Sequence, residues 1–453
     1  MDAAPLDPVA VAAAGRPHAP AVEGCDGETL TYAELDERVG RMAATLRDRL
    51  PEGPNRRVAV TPVPDPAGIA TLWAVWRIGA TAVLVDPANP AVVTAAGSLT
   101  RTVVDRLPMA PARAEGRAAP GAAHSIVFTS GSGGRPRGVL LTRDNVTAAV
   151  AASQARLGND ADDRWLLVLP LFHVGGLAIL WRSAAAGGTV VVHDRFRPER
   201  VAAALAAGAV DFASLVPTML RRVLAAHPGP YRGVTGVLLG GAPAPVALVR
   251  RGLDAGLPIL ATYGMTETCA QVATVTPGRE REELGTVGRP LEGMEVHLVD
   301  GDGDPVPAGT VGEIVVDGPA VSPGYVDAAP RHGPHRTGDL GRFDDRGRLV
   351  PLGRVDDVVV TGGENVHPQA VAAVLEEHPG VTGAVVAGVA DEEWGSVLAA
   401  VVAGTDLDEG ALRRHARERL PGYAVPKRWR LVPELPTLPN GKPDRIAARR
   451  LLE

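Results

Sequence analysis

The chain has 453 residues, 45% of them hydrophobic and 22% charged, enough for two or three domains around a large core. A net charge of −6 argues against a nucleic-acid binder or a membrane-surface binder. The two cysteines, Cys25 and Cys269, cannot build a disulfide framework or a cysteine zinc site, so a reducing, cytoplasmic setting is expected.

The first twenty residues lack a charged region followed by an apolar run, so no signal peptide is expected. No uncharged apolar stretch reaches the length of a membrane span, so no membrane insertion is expected. Residues 30–50 open with Thr31-Tyr32-Ala33-Glu34, a capping-box pattern, followed by apolar residues at helical spacing. "RVAVTPV" then reads as a strand, "DPAGIATLWAVWRIGA" as a helix and "TAVLVDP" as a strand, a β-α-β rhythm that implies a parallel sheet covered by helices. Residues 97–122, rich in Ala, Arg and Pro, read as a linker or loose loop within this domain. The rhythm resumes through "RWLLVLP", "TVVVH", "FASLVP" and "GVLLGG", with helical patterns between them. From about residue 285 short strands separated by Gly, Asp and Pro turns predict an antiparallel sheet or small barrel. After residue 356 a compact α+β unit of about a hundred residues follows, a plausible domain size. The expected fold is α/β. A large N-terminal domain of parallel α/β layers with a small barrel-like β subdomain spans 1–355, and a small mobile α+β domain spans 356–453.

Four stretches carry the chemistry. In Thr129-Ser130-Gly131-Ser132-Gly133-Gly134-Arg135-Pro136-Arg137-Gly138, glycines let backbone N–H groups converge on an anion and hydroxyls add donors. Arg137 could add a forked phosphate contact. The stretch is neither a Walker loop nor GxGxxG, and a surface turn would explain it as well. In "ATYGMTETCAQVAT" (261–274), Thr266 and Glu267 lie between a predicted strand and a predicted helix. A hydroxyl beside a carboxylate can hold Mg²⁺, but a plain helix cap would account for both residues, with Cys269 packing the helix. The third stretch (335–371) contains Asp339, Arg354, Asp356 and the pair Gly362-Gly363. Asp344-Asp345 there reads as a hairpin turn. The fourth, "LPTLPNGKPDR", puts Lys442 in a turn near the C-terminus.

All four occur together, in this order, and the arrangement resembles the adenylate-forming superfamily over residues 30–445. The resemblance implies ATP, Mg²⁺ and coenzyme A as co-substrates and cofactor. It places Thr129, Ser130, Gly131, Ser132, Gly133, Gly134 and Arg137 on the β- and γ-phosphates. Arg137 stands where the family usually has Lys, and Gly133 where it usually has Thr. Tyr263 would stack on adenine, and Gly240, Gly241, Ala242 and Gly264 would wall the nucleotide and acyl pocket. Thr266 would contact the α-phosphate and Glu267 would ligate Mg²⁺. Asp339 would bind the ribose hydroxyls, with Arg354 beside it. Asp356 would be the hinge of a swinging C-terminal domain. Lys442 would bridge the substrate carboxylate and the α-phosphate. Gly362 and Gly363 would line the pantetheine tunnel.

Residues 168–192, 211–226, 236–245 and 259–274 look most like the corresponding parts of o-succinylbenzoate–CoA ligases of menaquinone biosynthesis. That acid has two carboxylates, and Arg222 is the candidate for the one that is not activated, a solvated helix arginine being the plain alternative. His173 would line or gate the acyl pocket. A benzoate or medium-chain acyl-CoA ligase, a stand-alone adenylation domain and an inactive nucleotide-binding relative stay open as alternatives. The expected partners are small molecules, with no nucleic acid. The oligomeric state is left open, a homo-oligomer included.

Overall fold

A computed structural model of the chain describes residues 7–50, 56–114, 121–130, 135–307, 309–391, 394–437 and 444–452. Two large sheets form the N-terminal part. The first has nine strands. Its centre runs parallel through Ile259–Tyr263, Gly236–Leu239, Phe212–Leu215, Arg164–Leu167, Thr189–Val192 and Pro20–Glu23. The second has six strands. Arg57–Val60, Thr81–Leu84 and Ala123–Ser130 run parallel in it, and Pro136–Thr142 folds back antiparallel. Strands such as Phe212–Leu215 and Gly236–Leu239 are buried along their whole length, as a sheet covered by helices on both faces requires.

The helices begin where their caps predict. The Thr31 backbone N–H donates to Glu34 Oε2 at 2.8 Å and the Glu34 N–H returns to Thr31 Oγ1 at 3.3 Å, closing the capping box that opens the helix Tyr32–Arg47. Asp65 Oδ1 accepts the Gly68 N–H at 2.7 Å and starts the helix Pro66–Arg77. Residues 97–122 are not simply a linker. The helix Pro90–Leu99 runs into them, and Val103–Val104 pairs in parallel with Ala59–Val60 at the edge of the second sheet. Two residues of strand are too short for a periodicity to register.

The expected antiparallel sheet or barrel is a sheet of four strands, Glu295–Val299, Gly312–Asp317, His335–Phe343 and Leu349–Arg354, all antiparallel. Beyond it, the hairpin Val359–Thr361/Glu364–Val366 precedes a three-stranded sheet. Val381–Asp391 and Gly395–Gly404 are antiparallel there, and Arg428–Val432 adds a parallel third strand. Sequence patterning misses that strand because its exposed face is arginine-rich. This C-terminal unit has a buried cluster of its own, with Leu375, Leu398, Val402 and Leu412 at its centre.

Candidate active site

The site is built around the end of one strand. Ile259–Tyr263 runs to Gly264, where a Cβ would stand 1.6 Å from the Ala270 carbonyl oxygen. Only glycine lets the chain double back so tightly. Thr266–Thr268 form a single 3-10 turn, and Cys269 and Ala270 then take φ of 55° and 97°. No helix follows Glu267, so the helix-cap reading of Thr266 and Glu267 fails. The left-handed pair instead sends the chain into Ala273–Thr274, which pairs antiparallel with Thr262–Tyr263. Cys269 does pack in the core, although on a turn rather than a helix, and burial pushes its thiol up to about 12. Gly264→Ala is expected to displace the Ala270 carbonyl and to remove the ATP–pyrophosphate exchange that the adenylate-forming resemblance implies.

Tyr263 and Asp339 come together. The Tyr263 hydroxyl donates to Asp339 Oδ2 at 2.7 Å. Arg354 lies opposite Asp339 in the ladder, and its Nη1 donates to Asp339 Oδ1 at 3.3 Å and to the Thr337 carbonyl at 2.7 Å. Both carboxylate oxygens are therefore held. Burial, then the Asp339 charge, raises the Tyr263 phenol well above its ordinary range. Gly338, with φ of 70°, leaves room for the Arg354 guanidinium, whose Nη2 would stand 2.6 Å from a Cβ there. Asp356 follows in a 3-10 turn, largely exposed, with Arg354 Nη2 at 4.0 Å.

A second strip runs alongside. Thr129 and Arg137 face each other in the hairpin Ala123–Ser130/Pro136–Thr142, and Thr129 Oγ1 donates to the Arg137 carbonyl at 3.5 Å. The Arg137 guanidinium lies 3.4 Å from the centroid of the Tyr325 ring, and the Tyr325 hydroxyl donates to Glu267 Oε1 at 2.8 Å. Burial, with the Glu267 charge behind it, pushes the Tyr325 phenol up to about 12. Ser130 ends its strand. Gly131, Ser132, Gly133, Gly134 and Lys442 lie outside the described residues. Tyr325 was not foreseen. Its Gly324-Tyr325 pair joins the sheet edge beside Val139–Leu140, a long-range pairing that the local sequence does not signal.

Gly240, Gly241 and Ala242 follow the strand Gly236–Leu239. A Cβ on Gly240 would meet Thr262 Cγ2 at 2.7 Å, and Gly241 has φ of 76°. Gly241, Ala242, Arg222, Arg354 and Asp356 line one open cleft of about 1710 Å³ between the N- and C-terminal parts. Arg222 is exposed on the helix Pro217–Ala226, over the Phe196 ring at 5.6 Å. Its neighbour Arg221, which sequence reading passed over, crosses the cleft instead, with Nη2 3.5 Å from Glu376 Oε2. Other expected residues do not line this cleft. His173 precedes the helix Val174–Ala186, half-buried with its ring 4.8 Å from that of Phe172. Gly362 and Gly363, with φ of 57° and 85°, form the turn of a hairpin. The Trp394 ring covers Gly362 so closely that a Cβ there would stand 2.7 Å from it.

Among the described residues no cluster of three or more His, Cys, Asp or Glu side chains could hold a metal. Mg²⁺ bound through one carboxylate, waters and substrate phosphates needs no such cluster. Glu267 fits that role, because only its Oε1 is taken by Tyr325 among the described residues. No described helix is long and apolar enough to cross a membrane.

Residues 9–97 and 93–326 match the AMP-binding enzyme family, and residues 370–442 match the AMP-binding enzyme C-terminal domain. The chain belongs to the AMP-binding enzyme family. A relative from Bacillus licheniformis, 2-succinylbenzoate–CoA ligase, is 42% identical over 330 residues, which are 71% of this chain and 68% of that one. The enzyme of that name from Bacillus subtilis is 37% identical over 70% of this chain and 67% of its own. Among solved structures, o-succinylbenzoate CoA synthetase from Bacillus subtilis, in complex with its acyl-adenylate intermediate, superposes with a TM-score of 0.86. It is 30% identical and covers 97% of both chains. The same enzyme in complex with ATP and magnesium ion also superposes at 0.86, with 30% identity over 98% of this chain and 99% of that one. This AMP-binding enzyme therefore has the adenylate-forming fold, with its separate C-terminal domain, that the four motifs led one to expect.

Proposed function

We propose that this AMP-binding enzyme joins o-succinylbenzoate to coenzyme A through an acyl-adenylate, releasing AMP and pyrophosphate, a step of menaquinone biosynthesis. The observation that carries this reading is the superposition, over 97% of both chains, on a synthetase holding that acyl-adenylate. The site's two strips, Tyr263–Asp339–Arg354 and Arg137–Tyr325–Glu267, support it.

On this reading the cofactor set is ATP, Mg²⁺ and coenzyme A. Asp339 takes the ribose hydroxyls and is held for that by Tyr263 and Arg354. Thr129 and Arg137, with the loop between them, bind the β- and γ-phosphates, and Thr266 binds the α-phosphate. Glu267 would hold Mg²⁺, which when bound offsets phosphate charge. The substrate carboxylate oxygen attacks the α-phosphorus and the bond to pyrophosphate breaks. Two anions must meet in that step, and Lys442 relieves the repulsion as charge develops. The coenzyme A thiol sulfur, its proton lost, then bonds to the acyl carbon, and AMP departs with the electron pair of the broken acyl–phosphate bond. The domain boundary falls at 355/356, with Asp356 as hinge, so that the C-terminal domain can present Lys442 for the first step and Gly362-Gly363 for the second.

Thioester formation tests the reading: Mg·ATP, coenzyme A and o-succinylbenzoate, beside benzoate, octanoate and an amino-acid panel. Product with o-succinylbenzoate alone is expected. Efficient turnover of another acid in its place would overturn the substrate. Arg222, exposed on the cleft, is assigned to the second carboxylate. Arg222→Ala should raise KM about tenfold or more for the dicarboxylic acid, and far less for a monocarboxylic analogue. Equal effects on both would remove Arg222 from the site.

A further inference from the structure

The connection between Tyr325 and His335 carries an arginine that no motif accounts for. Arg331 folds back on the residues just before Tyr325. Its backbone N–H donates to the Pro323 carbonyl at 2.7 Å and its Nη2 donates to the Ser322 carbonyl. The Ser322 N–H in turn donates to the Glu267 carbonyl at 2.8 Å. Arg331 is thus tied through Ser322 to the backbone of Glu267, whose side chain accepts from Tyr325, the tyrosine on which Arg137 lies.

The arginine is half-buried, yet it makes no ion pair with any carboxylate of the described residues, and its Nε and Nη1 have no hydrogen-bond partner among them. A partly desolvated guanidinium without a counter-ion is costly unless an anion arrives to pair with it. Burial pulls it below its ordinary range, while the Tyr325, Glu267 and Asp317 charges act the other way. Guanidinium donors suit phosphate oxygens, which accept its forked N–H groups.

We infer that Arg331 is a second phosphate-binding cation of the nucleotide site, gripping the pyrophosphate end of ATP together with Arg137. The assignment rests on the adenylate-forming reading above. It separates the two nucleotides of the reaction: ATP and pyrophosphate meet Arg331, and AMP, which lacks the β- and γ-phosphates, does not. Arg331 would then hold the leaving group in line and release it after the first half-reaction.

A purely structural brace on the Ser322 carbonyl would not discriminate in this way. Equilibrium binding of Mg·ATP, Mg·pyrophosphate and AMP to the full chain therefore decides. Arg331→Gln is expected to weaken ATP and pyrophosphate about tenfold or more while leaving AMP within about twofold, and Arg331→Lys should recover most of the loss. Equal weakening of ATP and AMP would make Arg331 a brace, and unchanged ATP binding would remove it from the site. The wild-type protein gives a second readout that no folding defect can confound. Phenylglyoxal labelling of Arg331, followed by mass spectrometry, should be blocked by Mg·pyrophosphate and not by AMP. Protection by both, or by neither, overturns the assignment. Should the wild type bind neither ATP nor AMP, the adenylate-forming reading itself falls.

Discussion

Lys442→Ala is expected to lower acyl-adenylate formation by about a hundredfold to a thousandfold, the range for removing a fixed group that stabilises developing charge. Thioester formation from supplied acyl-adenylate should continue at close to the wild-type rate. The two half-reactions separate because they need different charges. The first brings a carboxylate against a phosphate, and a cation fixed between the two anions lowers that barrier. The second joins a thiol to an acyl carbon already activated by AMP. ATP–pyrophosphate exchange reads the first, and coenzyme A consumption with synthetic acyl-adenylate reads the second. Loss of both in a folded variant, or loss of neither, would remove Lys442 from the role proposed for it.

Asp339→Ala should weaken ATP and AMP alike, each by about tenfold to a hundredfold, as the loss of charge-assisted hydrogen bonds implies. The carboxylate does two things at once. On the proposed reading it accepts the ribose hydroxyls, and it receives the Tyr263 hydroxyl at 2.7 Å and Arg354 Nη1 at 3.3 Å. Its removal takes away the acceptor of a part-buried phenol, while Arg354 keeps the Thr337 carbonyl. Binding of the two nucleotides measured side by side tests this, and the loss of AMP distinguishes the expected pattern from that for Arg331→Gln. A variant that lost ATP but kept AMP would place Asp339 near the phosphates rather than the ribose.

The two arginines differ in how far their local sequence marks them. Arg137 belongs to a glycine-rich stretch legible in the sequence, although the residue itself lies on the strand Pro136–Thr142. Arg331 sits in "DAAPRHGPHR", where nothing in the local sequence distinguishes it from a solvated loop cation. Only the fold brings it beside Tyr325 and Glu267. Tyr325 itself comes within reach because Gly324–Tyr325 pairs with Val139–Leu140, across nearly two hundred residues of chain.

What the amino-acid sequence determined by itself is what local rules control. Thr31 and Glu34 dictated a helix start, and runs such as "GVLL" and "FASL" dictated buried parallel strands. Four motifs in a set order pointed to adenylate-forming chemistry. The reason is range: capping, periodicity and loop composition depend on neighbours a few residues away. What only the tertiary structure decided is what distant neighbours control. The 3-10 turn at Thr266–Thr268 replaced an expected helix, because the pairing of Thr262–Tyr263 with Ala273–Thr274 and the space at Gly264 left no room for one. The hold of Tyr263 and Arg354 on Asp339, the pairing of Arg221 rather than Arg222 with Glu376, and the contact of Arg331 with the Ser322 carbonyl arise in the same way. Each joins residues that approach only after the sheets have formed, and a side chain's partner at that distance is not written in its immediate sequence.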